Sequence, residues 1–156
     1  MPLVKDTSYQ GVFFEYVLDG IRDILISEFT YGKVYIAPTI EHLDPFSIRL
    51  WGSSSSTDAM WQDAWMKEYF VDITMYFIQK NPTENFYKQF YNDQERVYQS
   101  LFNNRTKSIT VSSNELTWID GKVEEVLIND VTADEAEVEG LHTVNMTFSC
   151  KIERAS

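Results

Sequence analysis

The chain has 156 residues, the usual size of one domain, so the sequence predicts a single hydrophobic core. It carries 24 acidic and 13 basic residues, a formal net charge of −11, which argues against direct binding of DNA or RNA because phosphate contacts need clustered Lys and Arg. No stretch approaches the ~20 apolar residues of a membrane span, and the start of the chain lacks a signal-peptide pattern, so we expect no membrane association.

The first predicted element is an amphipathic helix over about residues 9–29. Thr7 and Gln10 form a plausible capping box, and Gly32 supplies a stop signal. Apolar residues recur between them at helical spacing, namely Phe14, Leu18, Ile21, Leu25 and Phe29. One face of this helix should therefore pack on the core.

Two β-rich runs follow this helix, KVYIA at 33–37 and FSIRLW at 46–51. The next segment, GSSSST at 52–57, has the composition of a flexible linker. We predict a mobile loop over about residues 52–66.

That predicted loop ends in an apolar cluster, AMWQDAWM at 59–66. Its large apolar residues, with the tryptophan just before the loop, are the candidate interface: Trp51, Met60, Trp61, Trp65 and Met66. Two interpretations stay open at this point. The segment is either a flap folded on its own core or an arm that docks on a neighbouring subunit.

The middle of the chain predicts a central strand and a second helix. YFVDITMYFIQ at 69–79 alternates apolar and polar residues, as a strand does. Asn92 and Glu95 then form a second capping box before a predicted helix over about 93–103. Residues 86–91 could add a separate helical turn before it.

From there the chain is predicted to be all β. A strand begins at 109–111, and Asp120-Gly121 supplies the favoured two-residue hairpin turn. The return strand covers 123–131, where Glu124-Glu125 breaks the alternation and indicates a bulge or an edge. Residues 132–140 form an acidic connector.

The last strand, LHTVNMTFSCKIE at 141–153, has the most regular pattern in the chain. Every second residue is apolar, which predicts one buried face made of Val144, Met146, Phe148, Cys150 and Ile152. Cys150 is the only cysteine, so no intrachain disulfide is possible and a reducing compartment is expected. We interpret it as a small core residue.

No catalytic, cofactor or metal site can be named from the sequence. The two histidines, His42 and His142, have no partner at zinc-ligand spacing, and the acidic connector lacks the pattern of an EF-hand loop. Gly-rich phosphate loops and nucleophile elbows are absent too. We therefore predict that the protein is not an enzyme and binds no cofactor.

The order of elements resembles the tail terminator, or tail completion, proteins of tailed bacteriophages. The resemblance covers nearly the whole chain: an N-terminal helix, VYIA, FSIRLW, VDITMYFI, the helix QERVYQSLFNN, WIDGKVEEVLI and finally VNMTFSCKIER. It implies one domain over residues 1–156 with an α+β fold, in which two helices pack on one face of a mixed, mainly antiparallel sheet. Segment 39–66 departs from the pattern.

The resemblance also implies a structural role in the virion. Such proteins form a ring, usually of six copies, on the head-proximal end of the tail tube, stop its polymerisation and join it to the head. The implied partners are the tail-tube protein and the head–neck connector, with assembly in the host cytoplasm and the genome passing through the ring without specific binding. Two alternatives stay open, a head-completion or neck connector and a small-ligand-binding α+β domain.

Overall fold

The computed structural model describes residues 11–30, 33–37, 44–129 and 140–155. The chain begins with a π-helical segment, Val12–Leu18, that continues directly into helix α1, Asp19–Glu28. The other elements follow in chain order: β1 Lys33–Ile36, β2 Phe46–Met60, β3 Ala64–Ile78, α2 Glu84–Asn103, β4 Lys107–Val111, β5 Asn114–Asn129 and β6 Leu141–Ala155.

The strands form one sheet in the order β1-β2-β3-β6-β5-β4. β1 pairs with β2 in parallel, whereas the other four pairings are antiparallel. β3 and β6 pair along their whole length, from Ile78 opposite Leu141 to Ala64 opposite Ala155. The α+β class predicted from the sequence is consistent with this structure.

One face of the sheet, the core face, carries the hydrophobic core. β6 contributes the alternate residues that the sequence pattern predicted to be buried, so that prediction is confirmed. β3 contributes a matching row directly beside it: Tyr69, Val71, Ile73, Met75 and Phe77. Because directly opposite residues in paired strands point to the same face, the two rows form a continuous apolar surface.

Residues of both helices belong to the same core cluster as these strand residues. The first helix exists over the predicted range within the described residues, but the prediction that Phe14 lies on its buried side is wrong, since Phe14 is 52% exposed. Val12–Leu18 is π-helical, and its wider turn shifts the residues that face the core. The predicted capping box at Thr7 and Gln10 and the predicted stop at Gly32 lie outside the described residues. The second helix begins at Glu84, where the Thr83 side chain accepts a hydrogen bond from the Phe86 amide at 3.4 Å. The predicted capping box at Asn92 and Glu95 is therefore wrong, because the aromatic residues before it already form helix that packs on the core.

The predicted hairpin turn at Asp120-Gly121 is also wrong. The chain turns at Ser112-Ser113, whose φ angles of 49° and 71° are those of a two-residue hairpin turn. Asp120-Gly121 instead lies inside β5, at a register shift against β6. The Gly121 amide donates to the Arg105 carbonyl oxygen at 2.9 Å, and a Cβ there would lie 3.0 Å from that backbone. Close backbone approach, and not a turn, requires this glycine.

A second register shift in β5, between Val123 and Glu125, confirms the irregularity predicted at Glu124-Glu125. Such a bulge lets the polar pair interrupt the alternation while the strand goes on. The acidic connector that follows falls mainly on residues 130–139, which lie outside the described residues.

The loop predicted at about 52–66 is corrected as well, because most of it is strand. β2 runs through the serines to Met60, and β3 begins at Ala64. The backbone of β3 supplies partners along this stretch, with register shifts between Gly52 and Ser54 and between Thr57 and Ala59. Weak β-propensity of serine is thus overridden by pairing with a strongly β-forming neighbour.

Candidate interaction surfaces

A long β-hairpin carries most of the candidate interface residues. We call it the arm and define it as residues 53–70, the distal parts of β2 and β3 with their turn. The turn is closed by the Trp61 amide, which donates to the Ala64 carbonyl oxygen at 2.8 Å. On its β3 side the arm is paired with the end of β6, where Trp65 lies opposite Arg154.

The tip of the arm brings together three of the five predicted interface residues. Met60 is 75% exposed and Trp61 is 50% exposed, while Trp65 is partly buried opposite Met60. Met66, opposite Ala59, is also partly buried and points to the other face of the arm. These apolar side chains lie outside the hydrophobic core cluster of the described residues.

The fifth residue, Trp51, does not belong to this group. It lies nine positions before Met60 on the same strand, which corresponds to roughly 30 Å. It is 46% exposed and, opposite Asp72, points to the sheet face away from the core. The structure therefore brings the tip residues together and leaves Trp51 elsewhere.

The face of the arm that continues the core face is aromatic and cationic. Lys67 lies between Trp65 and Tyr69, with its Nζ 6.0 Å and 5.1 Å from the centroids of the two rings. Arg154 lies opposite Trp65 on the same face. By the register, Glu68 and Glu153 point to the other face, where Lys151 forms a 3.5 Å ion pair with Asp58. The carboxylates Glu68 and Glu153 thus lie on the face opposite Lys67 and Arg154, together with the Lys151–Asp58 ion pair.

A second surface lies on the outer edge of β5, where the sequence indicated a bulge or an edge at Glu124-Glu125 but did not single out the apolar residues after it. β4 pairs with β5 only from Asn114 to Trp118. Beyond the bulge, β5 pairs with β6 on one side, and no strand of the described chain pairs with its other side. We call residues 123–128 the β5 edge.

The β5 edge exposes three consecutive apolar residues. Val126, Leu127 and Ile128 are 38%, 54% and 47% exposed, and they directly follow Glu124-Glu125. An unpaired edge with large exposed apolar side chains is a surface that favours pairing with another chain. The run VLI, which does not alternate, was the sequence signal that could have indicated it.

The described structure has shallow surface clefts on both the sheet and the helices. One, of about 310 Å³, lies on the sheet face away from the core and includes Asp72, Thr74 and Asn145, with Thr74 Oγ1 2.8 Å from Asn145 Oδ1. The other, of about 350 Å³, lies between the two helices and includes Asp23 and Asn103. Both volumes are at the lower end of the range for ligand sites. Neither lining includes a histidine or cysteine.

Two potential nucleophiles of the described chain, Cys150 and Tyr69, are buried. The described residues contain no group of three or more His, Cys, Asp or Glu that could hold a metal ion. Cys150 is fully buried, as predicted, and burial raises the pKa of its thiol. Burial also raises the pKa of Tyr69 to about 12. Both groups are therefore protonated at neutral pH, unlike an activated nucleophile.

Of the two histidines, the structure describes the surroundings of His142. His142 is buried, with its Nε2 3.3 Å from the Gln79 carbonyl oxygen and its ring 4.9 Å from that of Phe86. It thus packs within the aromatic end of the core. His42 lies outside the described residues.

No helix among the described residues is long and apolar enough to cross a membrane.

The fold is similar to that of a chain from the virion of a native gene transfer agent particle. The two share 10% sequence identity and a TM-score of 0.52, over 89% of this chain and 99% of that chain. At such low identity the likeness concerns the fold. No protein-family profile and no curated protein sequence matches this chain.

Proposed function

We propose that the protein is a virion structural protein that caps the head-proximal end of a phage tail tube. In this role it stops polymerisation of the tube and offers the surface to which the head is joined. The observation that carries the proposal is the likeness to a virion chain, since it extends over 99% of that chain and 89% of this one. Residues 1–156 would then form one domain, with two helices on one face of a mainly antiparallel sheet.

The proposed assembly is a ring of six copies between the tail-tube protein and the head–neck connector. Six chains at −11 would carry a formal charge of −66. An acidic channel repels the phosphates of duplex DNA, so the genome can pass through without binding to the wall. The protein would be made in the host cytoplasm and end in the virion.

The arm is the part of the chain that we propose to hold the ring or the tube. Met60 and Trp61 are exposed at its tip, beyond the core cluster, and aromatic residues of this kind dominate the centres of protein interfaces. A flap folded on its own core would instead bury these side chains. Their exposure favours the arm interpretation of the two that the sequence left open.

A head-completion or neck connector is the second candidate, because the same fold likeness to a virion chain supports it equally. The two positions differ in their partners. A terminator binds tail-tube subunits, whereas a neck connector binds the portal side. A small-ligand-binding domain, the third candidate, needs no ring.

The test uses the tail-tube protein of the same virus, polymerised with and without this protein. We expect rings at one end of each tube and a shorter, narrower length distribution in electron micrographs. Replacing both Trp61 and Trp65 with serine should abolish capping while the monomer stays folded, because it removes the apolar tip. The matched control replaces Tyr91 and Tyr98, two exposed aromatic residues on α2, with serine and should cap normally.

Each alternative gives a different result in this experiment. Binding to portal rings without binding to tubes would favour the neck connector. Full capping by the Trp61/Trp65 variant would show that the arm is dispensable. Absence of rings, both in solution and on tubes, would refute the terminator function.

A further inference from the structure

We propose that the arm of one copy docks on the β5 edge of the next copy, so that the sheet continues from subunit to subunit. This inference rests on the ring of the proposed function and names the surface that receives the arm. It follows from the chemistry of the two surfaces, from their separation within one chain and from the strand edges that both leave open.

The two surfaces are complementary in charge and in apolar character. The β5 edge exposes Val126, Leu127 and Ile128. Glu124 and Glu125 directly precede these apolar residues on the same strand. The arm exposes Met60 and Trp61 at its tip, and its core-side face carries Lys67, with Arg154 of β6 beside it opposite Trp65. Opposite charges around an apolar centre steer association and fix its register.

The same two surfaces cannot meet within one molecule. Both surfaces belong to strands that pair with β6, so their separation can be measured along β6. Trp65 of the arm lies opposite Arg154, whereas Ile128 of the β5 edge lies opposite Val144. Ten residues of strand separate these positions, which corresponds to roughly 33 Å. The contact must therefore join two copies. A contact between two different patches is head-to-tail, and such contacts form a ring when the rotation between copies closes.

Both surfaces also leave backbone groups open for strand pairing. β1 pairs with β2 only from Ser47 to Leu50, so the outer side of the arm has no strand partner among the described residues. The β5 edge is open in the same sense. Pairing of two such edges satisfies the main-chain donors and acceptors of both, while side chains at the tip supply specificity.

The experiment uses two full-length variants that each damage one surface. The arm variant carries Trp61→Ser and Trp65→Ser, and the edge variant carries Leu127→Lys and Ile128→Lys. The edge changes place cations where the basic face of the arm would dock, on side chains that are already about half exposed. A milder edge variant, Leu127→Ser with Ile128→Ser, covers the case that the lysines disturb folding. The matched control for charge is Ile26→Lys with Tyr98→Lys, on exposed helix positions.

Sedimentation velocity at micromolar concentration reports the assembly state of each sample. We expect the wild type and the control to form rings, and each variant alone to be monomeric, with the ring contact weakened by more than about tenfold. Mixing the arm variant with the edge variant leaves one intact arm and one intact edge. The mixture should therefore form a one-to-one dimer and nothing larger.

Other outcomes overturn the inference. If the edge variant forms rings as the wild type does, the arm docks elsewhere, and the ring of the proposed function still stands. If the mixture stays monomeric, the two surfaces do not contact each other. If the wild type forms rings only on tubes and the edge variant caps tubes equally well, this inference fails while the capping function survives.

Discussion

Replacing Phe148 with alanine tests the register of the central strands. Phe148 is fully buried on β6, lies between Val71 of β3 and Val123 of β5, and packs its ring 6.1 Å from that of Trp118. The alanine variant loses the transfer free energy of a phenyl group and leaves a cavity that rigid strands on both sides cannot close. We expect the free energy of unfolding to fall by about 3 to 5 kcal/mol.

Urea denaturation followed by tryptophan fluorescence measures this loss. With an m-value of about 2 kcal/mol/M, the midpoint should move down by roughly 1.5 to 2.5 M. The matched control is Phe14→Ala, at an exposed helix position, which should cost less than about 1 kcal/mol. A loss at Phe148 no larger than that of the control would mean that β6 does not present this residue to the core.

Three further predictions follow from residues described above. Cys150 should react with a thiol reagent such as dithionitrobenzoate only after denaturant is added, because it is buried and burial raises the pKa of its thiol. Rapid labelling of the native protein would contradict its placement. Linear duplex DNA should not be retained in a gel shift at physiological salt, since the net charge is −11, and micromolar binding would refute the acidic-channel argument. Ser113→Gly should stabilise the protein by about 1 kcal/mol in urea melts because Ser113 has a φ of 71°. The same change at Ser56, within β2, should destabilise it, and equal effects at both sites would argue against the Ser112-Ser113 turn.

The parts of the fold that the sequence predicted are those in which burial leaves a local periodic pattern. One face of β6 is buried from Val144 to Ile152, so its alternating pattern could be recognised without knowing which strands pair with it. The first helix was readable for the same reason, because Ile21 and Leu25 recur on its buried side.

The errors occurred where a residue's role depends on a distant part of the chain. The serines of the arm form strand because β3 pairs with them, and composition alone carries no sign of that pairing. Asp-Gly is a strong hairpin signal, yet the same flexibility at Gly121 serves a bulge against the backbone of Arg105. The sequence thus indicated correctly that the backbone is irregular at Asp120-Gly121, but it predicted a hairpin turn where the structure has a bulge.

The candidate surfaces were predictable to a similar extent. Composition singled out the tryptophans and methionines of the arm, because large apolar residues beside serines suggest contact with a partner. It could not separate Trp51 from the tip, since that depends on the length of β2. The sequence indicated a bulge or an edge at Glu124-Glu125, but it could not show that Val126, Leu127 and Ile128 are exposed there. That exposure follows from the strand order, which places β4 beside only the first part of β5.

The position of β6 between β3 and β5 has a consequence for how the chain folds. β3 and β5 do not pair with each other, so within the sheet the strands β1, β2 and β3 are joined to the β4–β5 hairpin through β6, the last of the described strands in the sequence. Contacts between such distant segments form slowly because a long loop must close first. Until β6 inserts, the edges of β3 and β5 that pair with it are open. Partly folded chains with open strand edges aggregate readily. Expression at low temperature, or with chaperones that shield strand edges, should therefore raise the yield of native protein.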